Sequence, residues 1–354
     1  MSKQESFSVR LRNVTKAFGG NVVLDEIDLD IAAGSLTTLL GPSGCGKTTI
    51  LRLIAGLEFV TSGDVFIGEE NVTSLSASRR DVAMVFQSYA LFPHMTMGEN
   101  VGYGLKVQGI AAEERRARVA DALKAVGLEG FEGRYISQLS GGQQQRVAVA
   151  RALILEPQVM LFDEPLSNLD TKLRRQMRED IRRLQQETGI TSVYVTHDQN
   201  EALSVSDSVV VMKDGGIAQM GPPEDLYLRP RSQFVATFMG DASILDAVLE
   251  KSGEDVRVII AGNPLPLGAR GADLAEGPVK LAIRPEAVTL GRETKGRLGG
   301  IVRSRAYIGS AMEYFVTHAE GEMFAVMPAH AERFEIGQSV GLDINPAGVA
   351  VIRQ

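Results

Sequence analysis

Cysteine is almost absent from this sequence: among 354 residues only Cys45 is present, beside four histidines. A lone cysteine excludes a disulfide framework and a cysteine metal site, and it fits a reducing, cytosolic setting. His94, His318 and His330 stand at no metal-ligand spacing, so no histidine metal centre is expected. Basic residues are outnumbered, with 37 Lys and Arg against 44 Asp and Glu for a net charge of −7. A nucleic-acid binder usually shows the opposite balance, so no nucleic-acid partner is expected. Long apolar runs are missing as well. No stretch approaches the ~18 residues a membrane helix needs, and even Val147–Leu155 is interrupted by Arg151. The opening residues Met1-Ser-Lys-Gln-Glu-Ser6 have no apolar core and do not read as a signal peptide. Any work at a membrane is therefore expected from the water side, through partner proteins.

What is present is an ordinary globular composition, 44% apolar and 23% charged, over a length that favours two domains. The first two thirds alternate short apolar runs with helical patterns. Val9–Val14, Ile27–Ile31, Ser35–Leu40, Val82–Phe86, Val159–Phe162, Ser192–Thr196 and Ser208–Met212 read as strands, and Lys47–Gly56 as a helix. Runs without alternation, such as Val159-Met-Leu-Phe162, suit parallel strands buried on both faces. Between about 89 and 157 the pattern turns helical, most clearly over Ala112–Gly127 and Gln143–Leu155, which predicts a helical insert in an α/β core. After about residue 240 short strand-like runs are divided by Gly and Pro, among them Leu245–Leu249, Val279–Ile283, Glu313–Thr317 and Val340–Ile344. The expectation is an α/β domain over 1–240 and a small all-β barrel or sandwich over 241–354.

The segment Gly41-Pro42-Ser43-Gly44-Cys45-Gly46-Lys47-Thr48-Thr49 carries the pattern G-x-x-x-x-G-K-[ST] between a predicted strand and a predicted helix. Its glycines let the backbone wrap a phosphate chain. The amides of residues 44–48 become inward donors, and the helix adds its positive end. Lys47 is expected at the outer phosphates of a nucleotide, and the Thr48 hydroxyl on Mg²⁺. The strand Val159–Phe162 then ends in Asp163-Glu164. Asp163 is placed to hold Mg²⁺ through water, and Glu164 to polarise an attacking water. Such a pair after a strand is common, and the phosphate loop earlier in the chain gives it weight. Tyr194-Val-Thr-His197 is another strand with a polar end. His197 is placed to sense a terminal phosphate, although a lone histidine more often makes structural hydrogen bonds.

Leu139-Ser140-Gly141-Gly142-Gln143 stands immediately before a predicted helix. Ser140 is a good cap, and Gly141 and Gly142 expose amides at a helix N-terminus, a second anion site by the same physics but without a lysine. A plain capped helix fits the same residues. One resolution is that the second start serves the nucleotide of a neighbouring copy, with two copies head to tail closing over two nucleotides.

Taken in order, these segments resemble the ATP-binding subunits of ABC transporters. Leu139–Gln143 is similar to the ABC signature sequence, and the phosphate loop, Asp163-Glu164 and His197 stand in ABC order. The resemblance implies a P-loop ABC ATPase fold, with ATP and Mg²⁺ as its nucleotide and metal. It also implies a homodimer working with two integral membrane permease subunits at the cytoplasmic face of a bacterial inner membrane. At matching positions it implies that Phe18 stacks on adenine and that Gln87 couples the terminal phosphate and Mg²⁺ to the membrane subunits. It implies too that Ser167-Asn168-Leu169-Asp170 crosses the dimer interface, with Asn168 where Ala is often found. Leu281-Ala-Ile-Arg284-Pro285-Glu286 resembles part of the OB-like regulatory domains of many bacterial import ATPases, which implies an importer whose tail supports the dimer.

Across nearly the whole chain the resemblance is to ferric-ion import ATPases. It is densest in Gln87–Leu105, Leu173–Arg178 and Phe238–Ala242. Relatives handling polyamines, phosphonates or sugar phosphates look much the same in these segments. A periplasmic solute-binding protein is implied as the carrier of iron, which is not expected to bind this chain. Soluble ABC ATPases of DNA repair or translation carry a long coiled-coil insert or two cassettes, and this chain has neither. The Arg-rich stretch Lys172–Gln186 places Leu173, Met177, Ile181 and Leu184 at helical spacing, which reads as a solvated amphipathic helix.

Overall fold

The computed structural model describes residues 6–252, 255–268, 271, 274–292 and 298–352. The chain divides into two compact units, Met1–Pro223 and Glu224–Gln354. Strands of the first unit are, in chain order, β1 (Val9–Phe18), β2 (Asn21–Ile31), β3 (Leu36–Leu40), β4 (Ser62–Ile67), β5 (Glu70–Asn71), β6 (Val82–Val85), β7 (Val159–Asp163), β8 (Thr191–Thr196), β9 (Ser208–Lys213) and β10 (Gly216–Gly221). Its helices are α1 (Lys47–Ala55), α2 (Met97–Val107), α3 (Ala112–Ala125), α4 (Gly141–Leu153), α5 (Thr171–Thr188) and α6 (Gln199–Val205).

The main sheet has the order β10-β9-β3-β8-β7-β6. Its pairs are parallel except for the β9–β10 edge. All five residues of β3 are buried, Thr37 and Thr38 included, because the strand is covered on both faces. Thr38 avoids the cost of a buried hydroxyl by lying 2.6 Å from Ser206 Oγ. The antiparallel partner sheet β2-β1-β4-β5 closes the other side of α1. Between β6 and β7 the chain forms α2, α3 and α4, the expected helical insert, with Leu105, Val119, Leu123, Val147 and Leu153 in its core. On α5, Met177, Ile181 and Leu184 are buried. On its other face Arg182 pairs with Asp207 and Arg183 with Glu187.

The second unit carries α7 (Pro223–Leu228), whose first residue closes the first unit, and α8 (Gln233–Phe238). Its strands follow as β11 (Ser243–Ser252), β12 (Asp255–Ile260), β13 (Asn263–Pro266), β14 (Gly277–Ile283), β15 (Val288–Gly291), β16 (Leu298–Tyr307), β17 (Ala311–His318), β18 (Gly321–Pro328), β19 (Ser339–Ile344) and β20 (Val349–Ile352). They form two antiparallel sheets, β13-β12-β11-β14-β20 and β15-β19-β16-β17-β18. The inner faces share one core, with Leu245, Val258 and Leu281 from one sheet and Tyr314, Val316 and Leu342 from the other. Along β17 every second residue, Met312, Tyr314, Val316 and His318, is buried, the alternation of a half-covered sheet.

The change of sequence character near 240 falls later than the division at 223/224 because of Arg284. Its guanidinium is buried and donates to the carbonyl oxygens of Tyr227 and Ala236, the latter at 2.8 Å, while stacking 3.9 Å from the Tyr227 ring. The two short helices are thereby fastened to the β-domain. Burial and a hydrogen bond to Glu286 push the Tyr227 hydroxyl up to about 12, so it stays a donor.

Candidate functional site

The phosphate loop lies between β3 and α1, as its pattern requires. Gly46 caps α1 in the left-handed region at φ 102°, and a Cβ there would stand 2.4 Å from Leu24 Cδ2. Only glycine fits. Gly44 is also left-handed, at φ 82°, yet faces open space with nothing within 4 Å of a Cβ. The loop is thus tight beneath and open above, the shape a bound phosphate chain needs. Lys47 is buried, and its ammonium donates to Gly41 O at 2.7 Å and Pro42 O at 2.8 Å, with Cys45 Sγ at 3.8 Å. Carbonyl dipoles of the loop hold the cation at the loop's own centre, available to an incoming anion.

The neighbouring strands bring acids to the same place. Thr48 Oγ1 donates to Asp163 Oδ1 at 3.3 Å, which joins the start of α1 to the end of β7. Burial raises the Asp163 pKa, the nearby Glu164 adds to this, and the Thr48 hydrogen bond opposes it. A cation here would restore its ordinary acidity. Glu164 is itself left-handed at φ 44°, and its amide donates to Val195 O at 3.0 Å on β8. That turn points its carboxylate at His197, with Nδ1 3.3 Å from Glu164 Oε2. A hydroxyl and a carboxylate of hard oxygens beside a phosphate loop fit Mg²⁺, which is usually held by one or two carboxylates plus phosphate and water.

Gln87 reaches the same cluster from the loop after β6. Its Nε2 donates to Ser167 Oγ at 3.2 Å, and Ser167 Oγ donates to Glu164 O at 3.1 Å. Asn168 Nδ2 returns to Gln87 O at 3.1 Å, a contact that alanine at that position could not make. Phe18 ends β1 and is nearly half exposed. Lys16, two residues earlier and so on the same strand face, holds its ammonium 4.4 Å from the ring centre while donating to Phe59 O at 2.8 Å.

Ser140 to Gln143 form a different arrangement. Ser140 Oγ accepts from the Gln143 amide at 3.4 Å and Gln143 Oε1 accepts from the Ser140 amide at 3.0 Å, a reciprocal capping box. A Cβ on Gly141 would stand 3.3 Å from Leu169 and one on Gly142 2.7 Å from Leu173. Among the described residues no hydrogen bond or ion pair joins this start to the phosphate loop of the same chain.

Sequence reasoning missed the support behind His197. Asp198 caps α6, accepting from the amides of Asn200 at 2.8 Å and Glu201 at 3.1 Å. Glu201 is buried, accepting from Thr196 Oγ1 at 2.7 Å and Tyr194 Oη at 3.0 Å, and burial pushes its pKa up. Arg174, from α5, donates to Leu169 O at 3.1 Å and stands 3.5 Å from Asp198. Lys16 could have been found from its i, i+2 relation to Phe18. Arg174 could not, since nothing local in the sequence reveals that α5 packs on α6. Apart from this cluster, an exposed groove of about 560 Å³ between α2 and α3 is lined by Met95, Tyr103, Lys106 and Arg115. No helix of the described residues is long and apolar enough to cross a membrane.

Residues 24–167 match the ABC transporter family, and residues 281–352 match the TOBE domain. The Fe(3+) ions import ATP-binding protein FbpC of Escherichia coli (strain K12) is 52% identical over 349 residues, covering 99% of this chain and 98% of that protein. The FbpC 1 protein of Haemophilus influenzae is 55% identical over 313 residues, 88% of this chain and 94% of its own. Among solved structures, the dimeric post-hydrolysis state of the ATP-binding cassette MJ0796 bound to ADP and Pi is 36% identical, with a TM-score of 0.55 over 61% of this chain and 98% of that one.

Proposed function

The chain belongs to the ABC transporter family of ATP-binding subunits, and from that premise we propose that it hydrolyses ATP to drive ferric-iron import. The observation that carries the hydrolysis is the convergence of Lys47, Thr48, Asp163, Glu164 and His197 around one open phosphate loop. The solute is supported by relatives named for Fe(3+) import at 52% identity over nearly full length.

The geometry supports the following roles. Lys47 and the amides at the start of α1 meet the outer phosphates with a cation and a helix dipole. Phe18, steadied by Lys16, takes the adenine face. Magnesium, when bound, is held by Thr48 and Asp163 and neutralises phosphate charge. Glu164 orients water toward the terminal phosphate, and His197 holds that carboxylate in place and registers the phosphate. Little covalent chemistry is asked of the chain, since phosphoryl transfer is mainly positioning and electrostatics. Ser140, Gly141, Gly142 and Gln143 offer amides and a hydroxyl to the nucleotide of a second copy in a head-to-tail homodimer. The subunit works with membrane permease components from the cytoplasmic face, with the groove between α2 and α3 and the Gln87 loop as the docking region. An external solute-binding protein delivers the iron.

The test is ATP-dependent uptake into vesicles holding the whole transporter, with its binding protein offered ferric iron, putrescine, a phosphonate or a hexose phosphate. Iron uptake is expected. Uptake of an organic solute with no response to iron would reject the solute and leave the ATPase assignment intact.

A further inference from the structure

The loop that carries Gln87 contains two consecutive non-glycine residues in the left-handed region, Tyr89 at φ 61° and Ala90 at φ 47°. Side chains disfavour that conformation, and it persists only where the surroundings over-determine it. Here the determinant is Arg151 near the end of α4. Its Nη2 donates to Tyr89 O at 3.0 Å and its Nη1 to Ala90 O at 2.8 Å. One planar fork thus grips both strained peptides, a geometry that a lysine ammonium does not reproduce. At the near end of the loop Asn168 donates to Gln87 O at 3.1 Å. Gln87 therefore sits on a short segment pinned on both sides, two residues from the fork.

We propose that Arg151 is a positioning residue for the ATPase reaction: its fork holds the Tyr89–Ala90 turn left-handed and so fixes where Gln87 stands at the nucleotide site. The inference rests on the reading of Gln87 given above, and the two are separable by experiment. Lys47 and Thr48 lie on other elements, so nucleotide binding is not expected to depend on the fork.

The experiment uses the assembled transporter and compares Arg151→Met, Arg151→Lys, Ala90→Gly and the double variant Arg151→Met/Ala90→Gly. Arg151→Met is expected to raise hydrogen exchange in residues 86–95 and to lower turnover about tenfold, with affinity for a fluorescent ATP analogue within about twofold. Arg151→Lys keeps the charge but not the fork, and shows the same split; it carries the test if the Met variant does not fold. Glycine adopts positive φ without steric cost, so Ala90→Gly added to Arg151→Met restores turnover to within about threefold of wild type. A residue that merely packs α4 gives the opposite result, because added flexibility deepens the defect. Unchanged exchange in Arg151→Met, or a double variant worse than the single one, overturns the proposal. A loosened loop with normal turnover overturns the role of Gln87 and leaves the fork standing.

Discussion

Two helices of this chain begin on glycine-rich turns, α1 and α4, and the contrast between them bears on the proposal that one copy completes the site of another. The start of α1 is open and charged. Lys47 stands inside its loop, and Thr48 meets Asp163 at 3.3 Å with Glu164 and His197 alongside. The start of α4 is closed on itself by the Ser140–Gln143 capping box and packed against Leu169 and Leu173. It carries no side-chain cation of its own and no carboxylate for a metal. Both ends attract anions by the same dipole. Only the first brings a lysine, a hydroxyl and carboxylates together, which is why we propose the second as a half-site.

The sharpest break in that contrast comes from Glu164→Gln. Turnover is expected to fall on the order of a thousandfold while Mg-ATP binding is retained, as read by steady-state hydrolysis and nucleotide affinity. Near-normal turnover would remove Glu164 from its role. Next is Gly142→Asp, which puts a like charge at the second start and a Cβ 2.7 Å from Leu173. Turnover is expected to drop roughly a hundredfold, whereas ATP binding to isolated chains persists because the α1 site is untouched. Lys47→Ala abolishes turnover by a different route. ATP affinity itself falls about thirtyfold, since the buried cation at the phosphates is gone.

The smallest effect concerns stability. Burial raises the Asp163 pKa in the folded chain, so between the unfolded and folded values the folded state binds more protons. Stability of the nucleotide-free protein therefore falls as pH rises from the ordinary 3.8 through the raised value. Asp163→Asn removes the titrating carboxyl. The nucleotide-free variant is expected to be slightly more stable at neutral pH, with a flatter pH dependence and no Mg-dependent turnover. A lower melting temperature at neutral pH would contradict this sign.

Much of the α1 site was legible because its chemistry is local. A strand, a glycine loop and a helix are contiguous, and Asp163-Glu164 sits at the end of an unbroken apolar run. The β-domain was legible through alternation, as along β17. Contacts made across the fold were not. Arg151 reads in sequence as a charge interrupting an apolar helix, and its grip on Tyr89 and Ala90 depends on where the loop after β6 passes. Asn168 looked like a neutral departure from alanine until its amide met Gln87. The division at 223/224 was hidden for the same reason, since Arg284 reaches back to Tyr227 and Ala236 from far along the chain.

The contrast between the two helix starts is tested most directly by mixing two inactive proteins, Lys47→Ala and Gly142→Asp, and measuring ATP hydrolysis. In a head-to-tail mixed dimer one site carries both lesions, and the other combines the intact Lys47 of one copy with the intact Gly142 of its partner. Partial recovery of turnover on mixing, absent from either protein alone, is the expected result. No recovery when mixed dimers are shown to have formed would contradict the half-site and return Ser140–Gln143 to a plain helix cap.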